Sequence, residues 1–167
     1  KGVIAYVNQP FIEMSGFTEQ ELIGQAHNII RHPDMPPEAF DDFWKTIKKG
    51  KPWSGLVKNR SKDGSHYWVY ANVSPIVEGG QLTGYMSVRS KPTRDQIRAA
   101  EELYRTMREG NSKYKLHEGQ LFKKGFFGEI SYRLKFVTIK HRIVSMVSLA
   151  LFGMISIAAL GLLGLNQ

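Results

Sequence analysis

The spacing of apolar residues along this chain changes period twice, and the changes divide it into elements. Residues 3–7 form a short apolar run that reads as a strand, broken at Asn8-Gln9-Pro10. Phe11, Ile12 and Met14 before Gly16 predict one or two helical turns. Thr18 followed by Glu21 is a capping-box pattern that opens a short helix ending at Gly24. The clearest helix covers residues 36–49, where Phe40, Phe43, Trp44 and Ile47 recur at i, i+3, i+4 and i+7. Glu38, Asp41 and Asp42 stand at its start and Lys45, Lys48 and Lys49 at its end, as the helix dipole favours, and Gly50 terminates it. From Trp53 the period becomes two. Residues 55–60, 66–77 and 82–89 read as three strands, with Lys62-Asp63-Gly64 and Glu78-Gly79-Gly80 as hairpin turns. In the middle strand Tyr67, Val69, Ala71 and Val73 alternate with Trp68, Tyr70, Asn72 and Ser74.

A three-stranded antiparallel meander with short helices gathered on one face is an α+β domain, and the space between them is a natural ligand site. Pro92 ends the meander. Thr93 and Gln96 then form a second capping box for an amphipathic helix over residues 93–110. Its Ile97, Ala100, Tyr104 and Met107 make a seam that suits either packing on its own domain or a dimer contact.

Charge refines the division. Of the formal net charge of +8, residues 1–110 carry 15 Lys/Arg against 13 Asp/Glu, whereas residues 111–142 carry 8 against 2. A basic segment suits nucleic acid or an anionic membrane surface. Residues 143–165 decide for the membrane: 23 residues without a charge, about 34 Å as a helix against a hydrocarbon core of about 30 Å. The expected order is a globular domain over 1–92, the amphipathic helix over 93–110, a basic juxtamembrane connector over 111–142 and a transmembrane helix over 143–165. Arg133, Lys135, Lys140 and Arg142 on its N-terminal side put residues 1–142 in the cytoplasm by the positive-inside bias. The opening at Lys1-Gly2 without an initiator Met, and the ending at Asn166-Gln167, read as a piece of a longer protein. The absence of cysteine suits the cytoplasm and excludes thiolate chemistry.

The chemistry-bearing residues concentrate in 27–36, His-Asn-Ile-Ile-Arg-His-Pro-Asp-Met-Pro. Pro33, Pro36 and Pro37 keep this stretch out of a helix interior, so its polar side chains are displayed from a structured loop. By itself the stretch reads equally as a helix cap with solvated neighbours. A metal site from His27, His32, Asp34 and His66 is a weak match to zinc-ligand spacing. Nothing resembles a nucleophile–base pair, a phosphate loop or paired catalytic carboxylates, so an enzyme is not expected.

The segments Gly2-Val-Ile-Ala-Tyr-Val-Asn8, Phe11, Ser15-Gly-Phe17, Glu21-Leu-Ile-Gly24 and the meander together resemble a PAS sensor domain. Ala26-His-Asn28, Arg31-His-Pro-Asp-Met-Pro36, Lys49-Gly50, Pro52-Trp-Ser-Gly55, Val57-Lys-Asn-Arg60 and His66-Tyr-Trp68 sharpen this. They are similar to the FAD-binding PAS domain of aerotaxis receptors, over about residues 1–110. The resemblance implies FAD held noncovalently in the domain's cavity, with Arg31, His32, Asp34 and His27 at the binding motif, and Asn8, Trp53 and Asn59 as further pocket residues. Arg31 would clamp the diphosphate or ribityl side through its planar fork. Trp53 would stack near an aromatic ring, and Asn59 or Asn72 would meet the polar edge of the isoalloxazine. His32 and Asp34 would touch the ligand or orient Arg31. The resemblance also implies a redox, oxygen or energy sensor at the inner membrane, a homodimer or higher receptor assembly, and a downstream signalling module engaging the chemotaxis kinase complex, with no nucleic-acid partner. The alternative is a PAS sensor for haem or another small molecule, with His27, His32 or His66 as axial ligand, controlling a kinase or a cyclic-dinucleotide enzyme.

Overall fold

The computed structural model describes residues 2–125. Residues 1–123 form one compact unit. The expected transmembrane helix over 143–165, and the connector beyond residue 125, lie outside the described residues. Among the described residues no helix is long and apolar enough to cross a membrane.

Among the described residues there are four helices, a 3-10 turn and five strands, and most of them follow the local signals closely. In α1 (Gln9–Ser15) the Asn8 side chain accepts the Phe11 N–H at 3.2 Å, and Gly16 ends the helix in the left-handed region at φ 71°. In α2 (Glu19–Leu22) both halves of the Thr18/Glu21 capping box are made. A 3-10 turn (His27–Ile30) leads through Pro36 into α3 (Pro37–Ile47), whose buried side chains are Ala39, Asp42, Phe43, Thr46 and Ile47. The meander is β1 (Trp53–Arg60), β2 (His66–Glu78) and β3 (Gln81–Ser90), in the order β1-β2-β3, antiparallel throughout. Its register pairs Asn59 with Tyr67, Val57 with Val69, Ala71 with Arg89 and Val73 with Ser87. Then comes α4 (Arg94–Arg108), capped by the Thr93/Gln96 box.

Two segments differ from expectation. Residues 3–7 do not become a full strand: Gly2 and Ile4 pair with residues 24–27, Val3 makes an isolated bridge to Ala26, and residues 5–8 carry no regular structure. An apolar run becomes a strand only where a neighbour supplies hydrogen bonds along its length, and here that neighbour is a short loop. Residues 114–123, within the segment expected as a connector, form a hairpin of β4 (Tyr114–His117) and β5 (Gln120–Lys123). Phe122 is buried and Leu116 packs on the core.

Successive strand side chains point to opposite faces: α3 packs on one, and α4 covers the β1 side of the other, where Met86 and Val88 of β3 stay exposed. One face carries Trp53, Val57, Val69, Ala71 and Val73 against Met35, Ala39, Phe43 and Ile47. On the other, Tyr104 of α4 stacks on Trp68 at 6.1 Å between ring centroids and donates its hydroxyl to the Leu56 carbonyl at 2.6 Å. Burial pushes that phenol's pKa up. The seam of α4 therefore packs on its own domain through Ala100, Tyr104 and Met107. Ile47 is 0 % exposed at the end of α3. Ile47→Ala should lower stability by about 2–5 kcal/mol through lost burial and a residual cavity; urea unfolding followed by circular dichroism measures it.

Candidate functional site

The inward face of the meander is apolar at one end and polar at the other. Asn59 of β1 and Tyr67 of β2 are register partners, and Arg89 of β3 stands opposite Ala71, so alternation brings all three to that face. The 3-10 turn closes over them. Arg31, just past its end, makes an isolated antiparallel bridge to Asn59. At the turn's start, His27 Nε2 lies 3.0 Å from an Arg89 guanidinium nitrogen. The guanidinium carbon of Arg89 also sits 4.6 Å from the ring centroid of Phe11 in α1.

The protonation states follow from the partners. A guanidinium has only donors, so His27 Nε2 must accept, and the imidazole is neutral with its proton on Nδ1. Desolvation, and secondarily the Arg89 charge, pull its pKa down from 6.5 to about 4. Burial raises the Tyr67 phenol's pKa, opposed by Arg89 and Asn59.

Three polar atoms here are buried without a hydrogen-bond partner: Asn59 Nδ2, Tyr67 Oη and Arg89 Nη1. Asn59 as a whole is 2 % exposed. An unmatched buried donor costs about 1–3 kcal/mol, so three on one face mark a surface built to meet acceptors from elsewhere.

The other expected site residues fall in different surroundings. The guanidinium carbon of Arg31 lies 3.9 Å over the Phe40 ring, half-buried beside the polar cluster. His32 Nδ1 accepts the Asp34 backbone N–H at 3.1 Å, which uses its lone pair. Its 3.5 Å approach to the Asp34 carboxylate is therefore not an ion pair, and burial first of all depresses its pKa. Asp34 instead accepts from Lys58 Nζ at 2.6 Å, and that bond holds the carboxyl below the usual carboxylate range. His32 meets His66 edge-on at 5.7 Å, and Arg108 of α4 donates to the Asp34 carbonyl. Lys58 shares the strand phase of Leu56, so His32 and Asp34 belong to the edge of β1 on the α4 side. Trp53 is a core ring, 5.2 Å edge-on to Phe43, with its indole N–H donated to Asp42 at 2.9 Å. Asn8 caps α1. Of the two asparagines considered for a flavin edge, Asn59 faces inward, while Asn72 faces outward and accepts from the Ser54 hydroxyl at 2.8 Å.

Tyr67, Arg89, Phe11 and Phe40 complete the cluster and were not singled out from sequence. Tyr67 carried a signal: it is a polar-tipped residue in the same phase as Val69, Ala71 and Val73. Arg89 had none, since only the β2–β3 register reveals its neighbours. Among the described residues no group of three or more His, Asp or Glu side chains is placed to hold a metal ion.

Residues 4–89 match the family model described as PAS fold. The chain belongs to the PAS fold family. Over 127 residues this PAS chain is 50 % identical to the aerotaxis receptor of Escherichia coli (strain K12), a match covering 76 % of the chain and 25 % of the receptor. It is also 26 % identical over 87 residues to the nitrogen fixation regulatory protein of Klebsiella pneumoniae, covering 52 % of the chain and 18 % of that protein. The chain thus spans a quarter or less of these relatives. Among solved structures, a light-oxygen-voltage domain studied with a flavin analogue matches at TM-score 0.55 and 25 % identity, over 60 % of this chain and 75 % of that one. The light-state Aureochrome1 LOV domain matches at TM-score 0.54 and 23 % identity, over 64 % of this chain and 81 % of that one, a likeness of fold.

A histidine whose native pKa is depressed binds fewer protons folded than unfolded between the two values. PAS-domain stability should therefore fall as pH drops from 6.5 toward 4 and level off below, with His32 adding in the same direction. His27→Gln should flatten that slope by about one proton, at most about 1.4 kcal/mol per pH unit. Urea midpoints across this range and the NMR titration of the ring test it; titration near 6.5 would contradict the buried neutral state.

Proposed function

We propose that this chain is the sensor part of a membrane-anchored aerotaxis receptor, holding FAD noncovalently on the inward face of the meander and reporting redox, oxygen or energy state. The observation that carries this reading is the trio of unmatched polar atoms on Asn59, Tyr67 and Arg89. The half-identity to the E. coli aerotaxis receptor supports the receptor class, and the flavin-analogue LOV structure supports a flavin.

The residues fit that cofactor. Two of the three atoms are N–H donors and the third is a hydroxyl that can donate. A flavin ring offers acceptors along one edge, in its carbonyl oxygens and ring nitrogens. Arg89 sets a fixed positive charge there, and neutral His27 holds that guanidinium without cancelling it. Arg31 offers a fork suited to a diphosphate, over the Phe40 ring. Phe11 and Phe40 add aromatic surface for an extended planar ligand. A bound flavin supplies reversible electron uptake. A change in its hydrogen bonding would be felt first by Asn59, Tyr67 and Arg89, one on each strand, and passed on as a shift in the domain's contacts with a following module.

The uncharged run over 143–165 is proposed as the membrane anchor, with the PAS domain on the cytoplasmic side. The proposed partners are a second receptor copy or a higher assembly, and a downstream module coupled to the chemotaxis kinase complex.

The purified chain should show a two-band flavin spectrum and release FAD on denaturation. Asn59→Ala and Arg89→Ala should each weaken FAD retention by about 10- to 100-fold, with far-ultraviolet circular dichroism unchanged. A folded, colourless preparation that takes up no added FAD, or one with a Soret band, would overturn the reading.

A further inference from the structure

Asp42 lies at the middle of α3, 7 % exposed, and its carboxylate accepts three hydrogen bonds. Oδ1 takes the Glu118 backbone N–H at 2.7 Å. Oδ2 takes both the Gly119 N–H at 2.8 Å and the Trp53 indole N–H at 2.9 Å. All three donors are neutral. Two are successive amides in the turn of the β4–β5 hairpin, and the third is on a core ring.

The turn is shaped for this contact. Glu118 has φ 52° and Gly119 φ 75°, both in the left-handed region, as a tight primed hairpin turn requires. That conformation aims adjacent N–H groups the same way, a backbone concavity suited to an anion. Among the described residues Glu118 is the only non-glycine with positive φ, a conformation that costs free energy and persists where its surroundings over-determine it. Gly119 is needed for approach as well as for φ: a Cβ there would stand 2.3 Å from the Ser54 carbonyl oxygen. Outside the turn, Lys51 pairs with the Glu118 carboxylate. The hairpin's apolar hold is small, with Phe122 buried and Leu116 partly so, while Tyr114 and Leu121 are exposed.

We propose that the β4–β5 hairpin is a releasable latch, and that Asp42 is the catch that ties its docking to the setting of Trp53 in the core. One oxygen serves both sides, so a displacement of the Trp53 ring moves the acceptor that Gly119 needs. The ring has little freedom to move alone. It packs edge-on to Phe43, and a Cβ on Gly55 would come within 2.4 Å of it. A rearrangement of the inward face therefore reaches the hairpin through Phe43, Trp53 and Asp42, and from the hairpin the sequence runs on into residues 124–167. The latch depends only on this chain's own groups and holds whatever ligand the inward face takes.

Amide hydrogen exchange on the full 167-residue chain tests it, with limited trypsin digestion at Lys115 and Lys123. In Asp42→Asn and in Gly119→Ala, the Lys115 and Phe122 amides, a hydrogen-bonded pair of the hairpin ladder, should exchange at least ten-fold faster while Val57 and Val69 keep their protection. Trp53→Phe keeps an aromatic ring but removes the donor and part of the ring's bulk; it should also speed hairpin exchange, by a smaller factor, while Val57 and Val69 keep their protection. Should Asp42→Asn fail to fold, Gly119→Ala decides, because its side chain falls at the hairpin turn. Unchanged hairpin exchange in Gly119→Ala, or hairpin and sheet losing protection together in it, would overturn the latch. Unchanged hairpin exchange in Trp53→Phe would overturn the link to the core.

Discussion

Helix α3 packed on the inward face of the meander shuts water off from the buried inward positions of β1 and β2, and that constraint governs the rest of this domain. Every side chain on the inward phase of the meander must be apolar, matched within the protein, or reserved for something that enters from outside. Val57, Val69, Ala71 and Val73 meet the first condition against the apolar stripe of α3. Trp53 meets the second through Asp42. Asn59, Tyr67 and Arg89 meet neither in full, and unmatched polar atoms of this kind are scarce in native interiors. Among the described residues, three of the four buried side-chain polar atoms without a partner gather at the polar end of the inward face, the fourth being Trp68 Nε1 on the other face.

Two buried polar centres stand on either side of the packed aliphatic patch, and they are built on opposite principles. Around Arg89 a positive charge is kept in place by a neutral acceptor, His27, and by the π face of Phe11. Around Asp42 a negative charge is kept in place by three neutral donors. In each, hydrogen bonds to neutral partners fix the position of the charged group. The material between them is close-packed side chains, which transmit displacement better than they absorb it. The proposed sensing role calls for that combination: a site where charge matters, and a stiff path to the segment that leads onward.

Much of the fold was legible in the sequence. Both capping boxes, the Asp-Gly and Gly-Gly turns, the apolar stripe of α3 and the phases of β1 to β3 all appear in the structure as local patterning implies. The hairpin at 114–123 was hidden because its strands are four residues each and its charge suggested a solvated or lipid-facing segment. The run at 3–7 misled in the opposite direction, because β patterning is local whereas a strand's partner is not. For the candidate site, the stretch at 27–36 was legible as a loop dense in polar side chains, and only the structure shows what each of them meets. Its residues then divide, with His27 and Arg31 by the inward face and His32 and Asp34 at the edge of β1 beside Lys58.

By itself, then, the sequence determined most of the elements over residues 9–108, their caps, the two faces of each strand of the meander and the resemblance to a family, since these rest largely on local patterning. Only the tertiary structure decided that Arg89 faces His27 across 62 positions, that Trp53 is tied to Asp42, and that Asp42 holds a hairpin 76 residues further on. Those contacts depend on strand register and on which loop closes over which face. Both are set by the packing of the whole domain and leave no mark on the spacing of residues along the chain.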